Sequence, residues 1–194
     1  TKHYSGWGVF IMVKEIFDKN FSSSFLIAEA GINHNGNMNI AAKMVDKAKD
    51  SGADAIKFQT YKTEKRVSKN SPIFKISKKC ELNKEDFVKL KKYCDKKRII
   101  FFSTPFDEDS IDFLNSIRVK LFKVASFDIS NYNILNHIVK KRKPTILSTG
   151  MSSFKEINNA KLLFAKKKIP FSLLHCISSY PNSEKTSYLA NIED

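Results

Sequence analysis

The chain has 194 residues, 42% hydrophobic and 28% charged, with a formal net charge of +14. That length supports one domain with a real core, and no apolar run approaches the roughly 20 residues a bilayer-spanning helix needs. The excess charge is nearly all lysine, spread along the chain as in Lys89, Lys91, Lys92, Lys96 and Lys97; without arginine forks or interleaved aromatics this is a solvated surface rather than a nucleic-acid stripe.

Residues 1–24 have aromatic and glycine residues but no clear periodicity, and are set aside as a leading segment. Nothing in residues 1–10 reads as a signal peptide, and the apolar stretch 8–13 is short and followed at once by Lys14 and Glu15. From residue 25 short apolar runs alternate with amphipathic stretches. A first strand is expected over 25–30. A helix follows over 39–51, with Ile40, Met44, Val45 and Ala48 on one face, Asn39 as N-cap and Gly52 after the last turn. A second strand is expected over 55–60, then a long loop to about Leu82. The pattern continues as helix 84–97, strand 99–102, helix 107–117, strand 121–124, helix 132–141, strand 145–148, helix 154–167 and strand 171–175. The tail from Pro181 is polar.

Six strand signals joined by five helical connections imply parallel strands with crossovers. Strands apolar through most of their length imply burial on both faces. The loop after the first strand, residues 31–36, lacks the glycine spacing of a dinucleotide fold. The expected class is therefore α/β of the (β/α)8 barrel type, with about six βα units.

In such a barrel the polar residues at the C-terminal strand ends converge on one mouth. Here they are Glu29; Lys57 and Gln59, two apart and so on one face; Ser103 and Thr104; Lys123 and Ser126; Ser148 and Thr149; and His175. Lys57 and Lys123 each sit inside an apolar strand, where a charge is costly without a compensating anion or carboxylate. Two such lysines among hydroxyls suit a phosphate or carboxylate cradle. The alternative is that both lie along the outer surface. Glu29 is either a buried partner of a lysine or a carboxylate that orients substrate or moves a proton. His34, between Asn33 and Asn35, suits a turn-stabilising role. His175 is a weak metal candidate, since no partner is visible beside it. His3 and His137 look incidental. Cys80, Cys94 and Cys176 form no close pair and have no adjacent base, so reduced thiols and a cytoplasmic location are expected.

The segments IAEAGINHNG (27–36), GADAIKFQT (52–60), FFSTPFD (101–107), FKVAS (122–126), KPTILSTGM (143–151) and LLHCISSYP (173–181) arrive in this order. Together they resemble the sialic acid synthase family, which includes the legionaminic, pseudaminic and spore-coat polysaccharide synthases. The resemblance implies a (β/α)8 barrel followed by a small antifreeze-like domain, and a homodimer. It implies a transferase of surface-carbohydrate biosynthesis, in which C3 of phosphoenolpyruvate attacks the aldehyde of an N-acetylated amino sugar. Water then adds at C2 and phosphate leaves. Manganese or magnesium would polarise the aldehyde. Carried over by position, Lys57, Thr104, Lys123, Ser126 and Ser148 would hold phosphoenolpyruvate, Gln59 and Tyr180 the sugar, and Glu29 would sit beside the reacting carbons. Ser178 stands where some members have Asn. EAGINH and KFQT lean toward the sialic and legionaminic branch, VASFD toward the pseudaminic.

The family's metal-binding histidines lie further along, so no ligands for that metal are expected in this chain. On the same comparison residues 25–194 are expected to stop before the last strands and the antifreeze-like domain, to expose two strand edges and to be inactive alone. The rival readings are another phosphoenolpyruvate-condensing barrel, and a non-catalytic remnant.

Overall fold

The computed structural model describes residues 17, 24–179 and 181–192. The leading segment, apart from Phe17 and Ser24, and Tyr180 therefore lie outside the described residues. The chain divides into two compact units, with the boundary between Phe122 and Lys123.

The first unit is built on a parallel three-stranded sheet in the order β1 (Ile27–Gly31), β2 (Ala55–Thr60), β3 (Ile100–Pro105). Helix α1 (Met38–Asp50) joins β1 to β2. Its N-cap is Asn37, whose side chain accepts from the N–H groups of Asn39 and Ile40, so the cap lies two residues before the expected Asn39. The buried face is Ala41, Val45 and Ala48, while Ile40 is exposed. Small side chains at this contact let the helix lie close to the sheet.

The stretch expected as a long loop holds two short helices, α2 (Thr63–Arg66) and α3 (Phe74–Cys80). Then come α4 (Lys84–Lys97), capped by Asn83, and, after β3, α5 (Glu108–Ser116), capped by Asp107. Phe58 and Phe101 stack with ring centroids 5.7 Å apart. Phe87 of α4 sits between Phe101 and Phe113. Full burial of each such ring contributes about 1.5–3 kcal/mol, and this aromatic layer fixes the helices on β2 and β3.

The second unit has a parallel sheet in the order β4 (Phe122–Val124), β5 (Thr145–Ser148), β6 (Phe171–Leu174). Helices α6 (Tyr132–Lys140) and α7 (Phe154–Lys166) make the crossovers. Asn131 caps α6; Ser153 and Glu156 form a reciprocal capping box on α7. The tail holds two 3-10 turns, Glu184–Thr186 and Leu189–Ile192.

Every residue of β3, β4 and β5 is buried, and all of β2 except Gln59, as expected for strands covered on both faces. β1 and β6 depart from this, with Glu29, Leu173 and Leu174 exposed. Cys80 and Cys94 are buried and Cys176 is half-buried; all three are free thiols. Burial pushes the Cys94 thiol up to about 12.

Candidate functional site

In the first unit the ladder places Glu29 of β1 directly beside Lys57 of β2. Their side chains form an ion pair between Glu29 Oε2 and Lys57 Nζ. Lys57 is buried while the Glu29 side chain is half exposed. The ammonium also lies 3.5 Å from Thr104 Oγ1. A lysine in a fully packed strand needs this carboxylate, because an unpaired charge there would carry a desolvation penalty of several kcal/mol. The lysine does not lie along the outer surface. Ser103, next to Thr104, points to the opposite face and shares a 2.7 Å hydrogen bond with Thr60.

After Glu29 the register slips: Glu29 faces Lys57, but Gly31 faces Phe58. The extra residue is a bulge, which re-aims the chain at the strand end. Gly31 has φ +54° and no side chain. Around the place a Cβ would occupy lie Glu29 Oε1 at 3.4 Å, Gln59 Nε2 at 3.8 Å and Asn33 Nδ2 at 4.0 Å. One acceptor and two amide nitrogens thus border the bare face of Gly31.

Gln59 is held from its other side. Its Oε1 accepts from Arg66 Nη1 at 3.1 Å. The Arg66 guanidinium lies 3.8 Å from the ring centroid of Phe106 and 4.8 Å from that of Tyr61, well within cation–π range. Arg66 ends α2, and α2 is pinned at its start. Asp107 accepts from the Lys62 N–H at 3.0 Å. Glu81 accepts from the N–H and the hydroxyl of Thr63 and pairs with Lys62 and Lys78. Burial pushes the Glu81 carboxyl up, but Lys62, both Thr63 donors and Lys78 outweigh it and hold it at about 2.

His34 is buried in the turn after β1 and packs 6.0 Å from the Phe58 ring. Its Nδ1 accepts from the Gly36 N–H at 3.1 Å, so the neutral ring carries its proton on Nε2. Burial holds its pKa below the ordinary histidine value. It is a turn residue, as its neighbours suggested.

The second unit gathers short side chains. Lys123, buried on β4, donates to Ser148 Oγ and, at 2.6 Å, to the carbonyl of Val124. Ser126 Oγ accepts from the Gly150 N–H at 3.2 Å. A Cβ on Gly150 would stand 2.7 Å from Ser178 Oγ, 3.0 Å from Ser126 Oγ and 3.0 Å from the Cys176 carbonyl. The Lys123 ammonium with Ser148, and the Ser126 and Ser178 hydroxyls around Gly150, are groups that can donate to a phosphate or carboxylate. Thr149 instead binds the Leu174 carbonyl, at 2.8 Å, and ties β5 to β6.

A divalent metal is implied by the resemblance. Among the described residues no three His, Cys, Asp or Glu side chains gather as a metal site. His175 Nε2 lies 2.7 Å from the Ser187 carbonyl, the place of an N–H donor rather than of a metal ligand. The described residues therefore do not form a metal centre.

Of the residues expected at the site, the structure brings Glu29, Lys57, Gln59 and Thr104 together in one unit, and Lys123, Ser126, Ser148 and Ser178 in the other. Tyr180 lies outside the described residues. Arg66, Asn33 and the two glycines had not been singled out. For the glycines a signal existed, since each directly follows a strand or its hydroxyl pair; for Arg66 there was none.

The NeuB family model matches residues 44–194. An uncharacterized protein of Methanocaldococcus jannaschii is 48% identical over 159 residues, 81% of this chain and 47% of that protein. The N,N'-diacetyllegionaminic acid synthase of Legionella pneumophila is 40% identical over 178 residues, 82% of this chain and 50% of that enzyme. Among solved structures, the N-acetylneuraminic acid synthetase of Leptospira borgpetersenii, in complex with citrate, matches with a TM-score of 0.85 at 44% identity, covering 87% of this chain and 59% of that one. The parallel βα succession is thus of the (β/α)8 type, as expected. The chain spans about half the length of the curated relatives it matches. On a family model that covers most of its residues, the chain belongs to the NeuB family.

Proposed function

We propose that this chain supplies the phosphoenolpyruvate-binding groups, and part of the amino-sugar site, of a nonulosonic acid synthase. Two buried strand lysines with oxygen partners carry the reading: Lys57 with Glu29 and Thr104, Lys123 with Ser148. Each is a cation held where only an anion or a ring of hydroxyls repays its desolvation. Relatives named as legionaminic, pseudaminic and sialic acid synthases support it.

In the reaction C3 of phosphoenolpyruvate forms a bond to the aldehyde carbon of an N-acetylated amino sugar. Water adds at C2 and the C–O bond to phosphate breaks. Lysines and serine hydroxyls would hold the phosphate and carboxylate and stabilise charge as phosphate leaves. Glu29, half exposed beside Lys57, would orient a sugar hydroxyl or take a proton from the attacking water.

Calorimetric titration of the chain with phosphoenolpyruvate tests this. Binding should occur, and both Lys57→Ala and Lys123→Ala should weaken it at least tenfold. Heat that neither substitution alters, or no binding at all, would favour a non-catalytic remnant.

A further inference from the structure

The two ends of the Gln59 amide face different partners, and the chemistry of Arg66 decides which end faces which. A guanidinium has donors and no acceptor. The atom 3.1 Å from Arg66 Nη1 must therefore be the carbonyl oxygen of Gln59, and the amide nitrogen is turned to the bare face of Gly31. Glu29 Oε1 borders that same face, while Glu29 Oε2 is engaged by Lys57.

We propose that Arg66 is a positioning residue for Gln59, locking its amide so that the nitrogen, on the same side as Glu29 Oε1, donates to a hydroxyl of the sugar. The proposal rests on the synthase reading for the identity of the ligand, but not for the lock. A hydroxyl is the group that satisfies a donor and an acceptor at once. An amide released from Arg66 loses the donor that fixes its oxygen, and a flipped amide would turn an acceptor instead of a donor to the sugar. Arg66 can hold the orientation because it is itself held. Its plane lies over Phe106 and Tyr61, and α2 is anchored by Asp107 and Glu81. Lysine at this position would keep the charge and lose the planar fork.

The test uses the nitrogen-15-labelled full chain. In the wild type the Gln59 side-chain NH2 pair, assigned by its loss in Gln59→Glu, should be displaced from the position of exposed glutamines. Arg66→Met, which keeps an apolar stem over Phe106, should return the pair to that position and leave the backbone spectrum otherwise native. Arg66→Lys should fall between, and serves as the reading if Arg66→Met does not fold. A pair that neither variant moves overturns the lock. With N-acetylmannosamine as probe, Arg66→Met and Gln59→Ala should each weaken binding about five- to tenfold, and the double variant no more than either alone. Full affinity in Arg66→Met alongside reduced affinity in Gln59→Ala would also overturn it. A wild-type chain that does not respond to the sugar removes the ligand assignment and the sugar part of the synthase reading, while the amide pair still decides the lock.

Discussion

The two units build their polar sites from different material. The first uses long side chains, Glu29, Lys57, Gln59 and Arg66, fixed by an ion pair, a hydrogen bond and aromatic stacking. The second has one long group, Lys123, and otherwise uses serine hydroxyls and bare backbone, several of them packed around Gly150. The difference teaches where each is vulnerable. A site of long charged groups is sensitive to charge and acidity. A site of short groups in contact is sensitive to volume, because atoms there have no slack.

The sharpest way to break this contrast is a change of volume in the second unit. Gly150→Val places carbon 2.7 Å from Ser178 Oγ and 3.0 Å from a backbone carbonyl. It should abolish phosphoenolpyruvate binding by calorimetry and cost about 1–3 kcal/mol in a denaturant melt. Undiminished affinity would mean that the hydroxyls do not form a tight nest.

Next in size is the anchor of α2. Glu81→Gln should cost about 1.5–3 kcal/mol at neutral pH, the range for hydrogen bonds to a charged group. The wild-type carboxyl sits at about 2, below the ordinary 4.5. Its contribution is therefore complete above about pH 4.5 and is lost as pH falls toward 2. Urea melts at stepped pH should show the wild type and Glu81→Gln converging over that range; parallel curves would remove Glu81 as the anchor.

His34 gives a smaller effect. Its folded pKa is depressed by burial, so its neutral form stabilises the fold above the ordinary value of 6.5, and this is lost as pH falls through the lower folded value. His34→Gln should flatten the melting temperature across that interval. A histidine signal titrating at or above 6.5 by NMR would contradict the buried neutral ring. Smallest of all is Thr104→Val. At 3.5 Å the contact with Lys57 is long, and the change should alter stability by less than about 0.5 kcal/mol.

Much of this was legible from residue patterns. The structure has β2, α4 and β5 over 55–60, 84–97 and 145–148, the ranges that apolar runs and an amphipathic stretch indicated. Strand alternation also placed Lys57 and Gln59 together, because a period of two is a strict geometric rule. The reading failed where long-range contacts decide. Helix α2 is one turn long and exists because Glu81 and Asp107 capture its first N–H groups; four residues carry no periodicity to detect. The lock of Gln59 by Arg66 passes from a strand to a one-turn helix and on to Tyr61 and Phe106, which follow β2 and β3. Likewise, the choice between Ser103 and Thr104 follows from the β2–β3 register, which no single segment encodes.

The burial of two thiols has a practical use. Cys94 is sealed, with its thiol pushed up to about 12, and Cys80 is buried as well, leaving Cys176 as the accessible sulfur. The nucleophile is the thiolate, so a maleimide dye should attach there selectively. Its carbonyl borders Gly150, so a dye there would sit beside the serine hydroxyls and report optically on changes around them, with no engineered cysteine required.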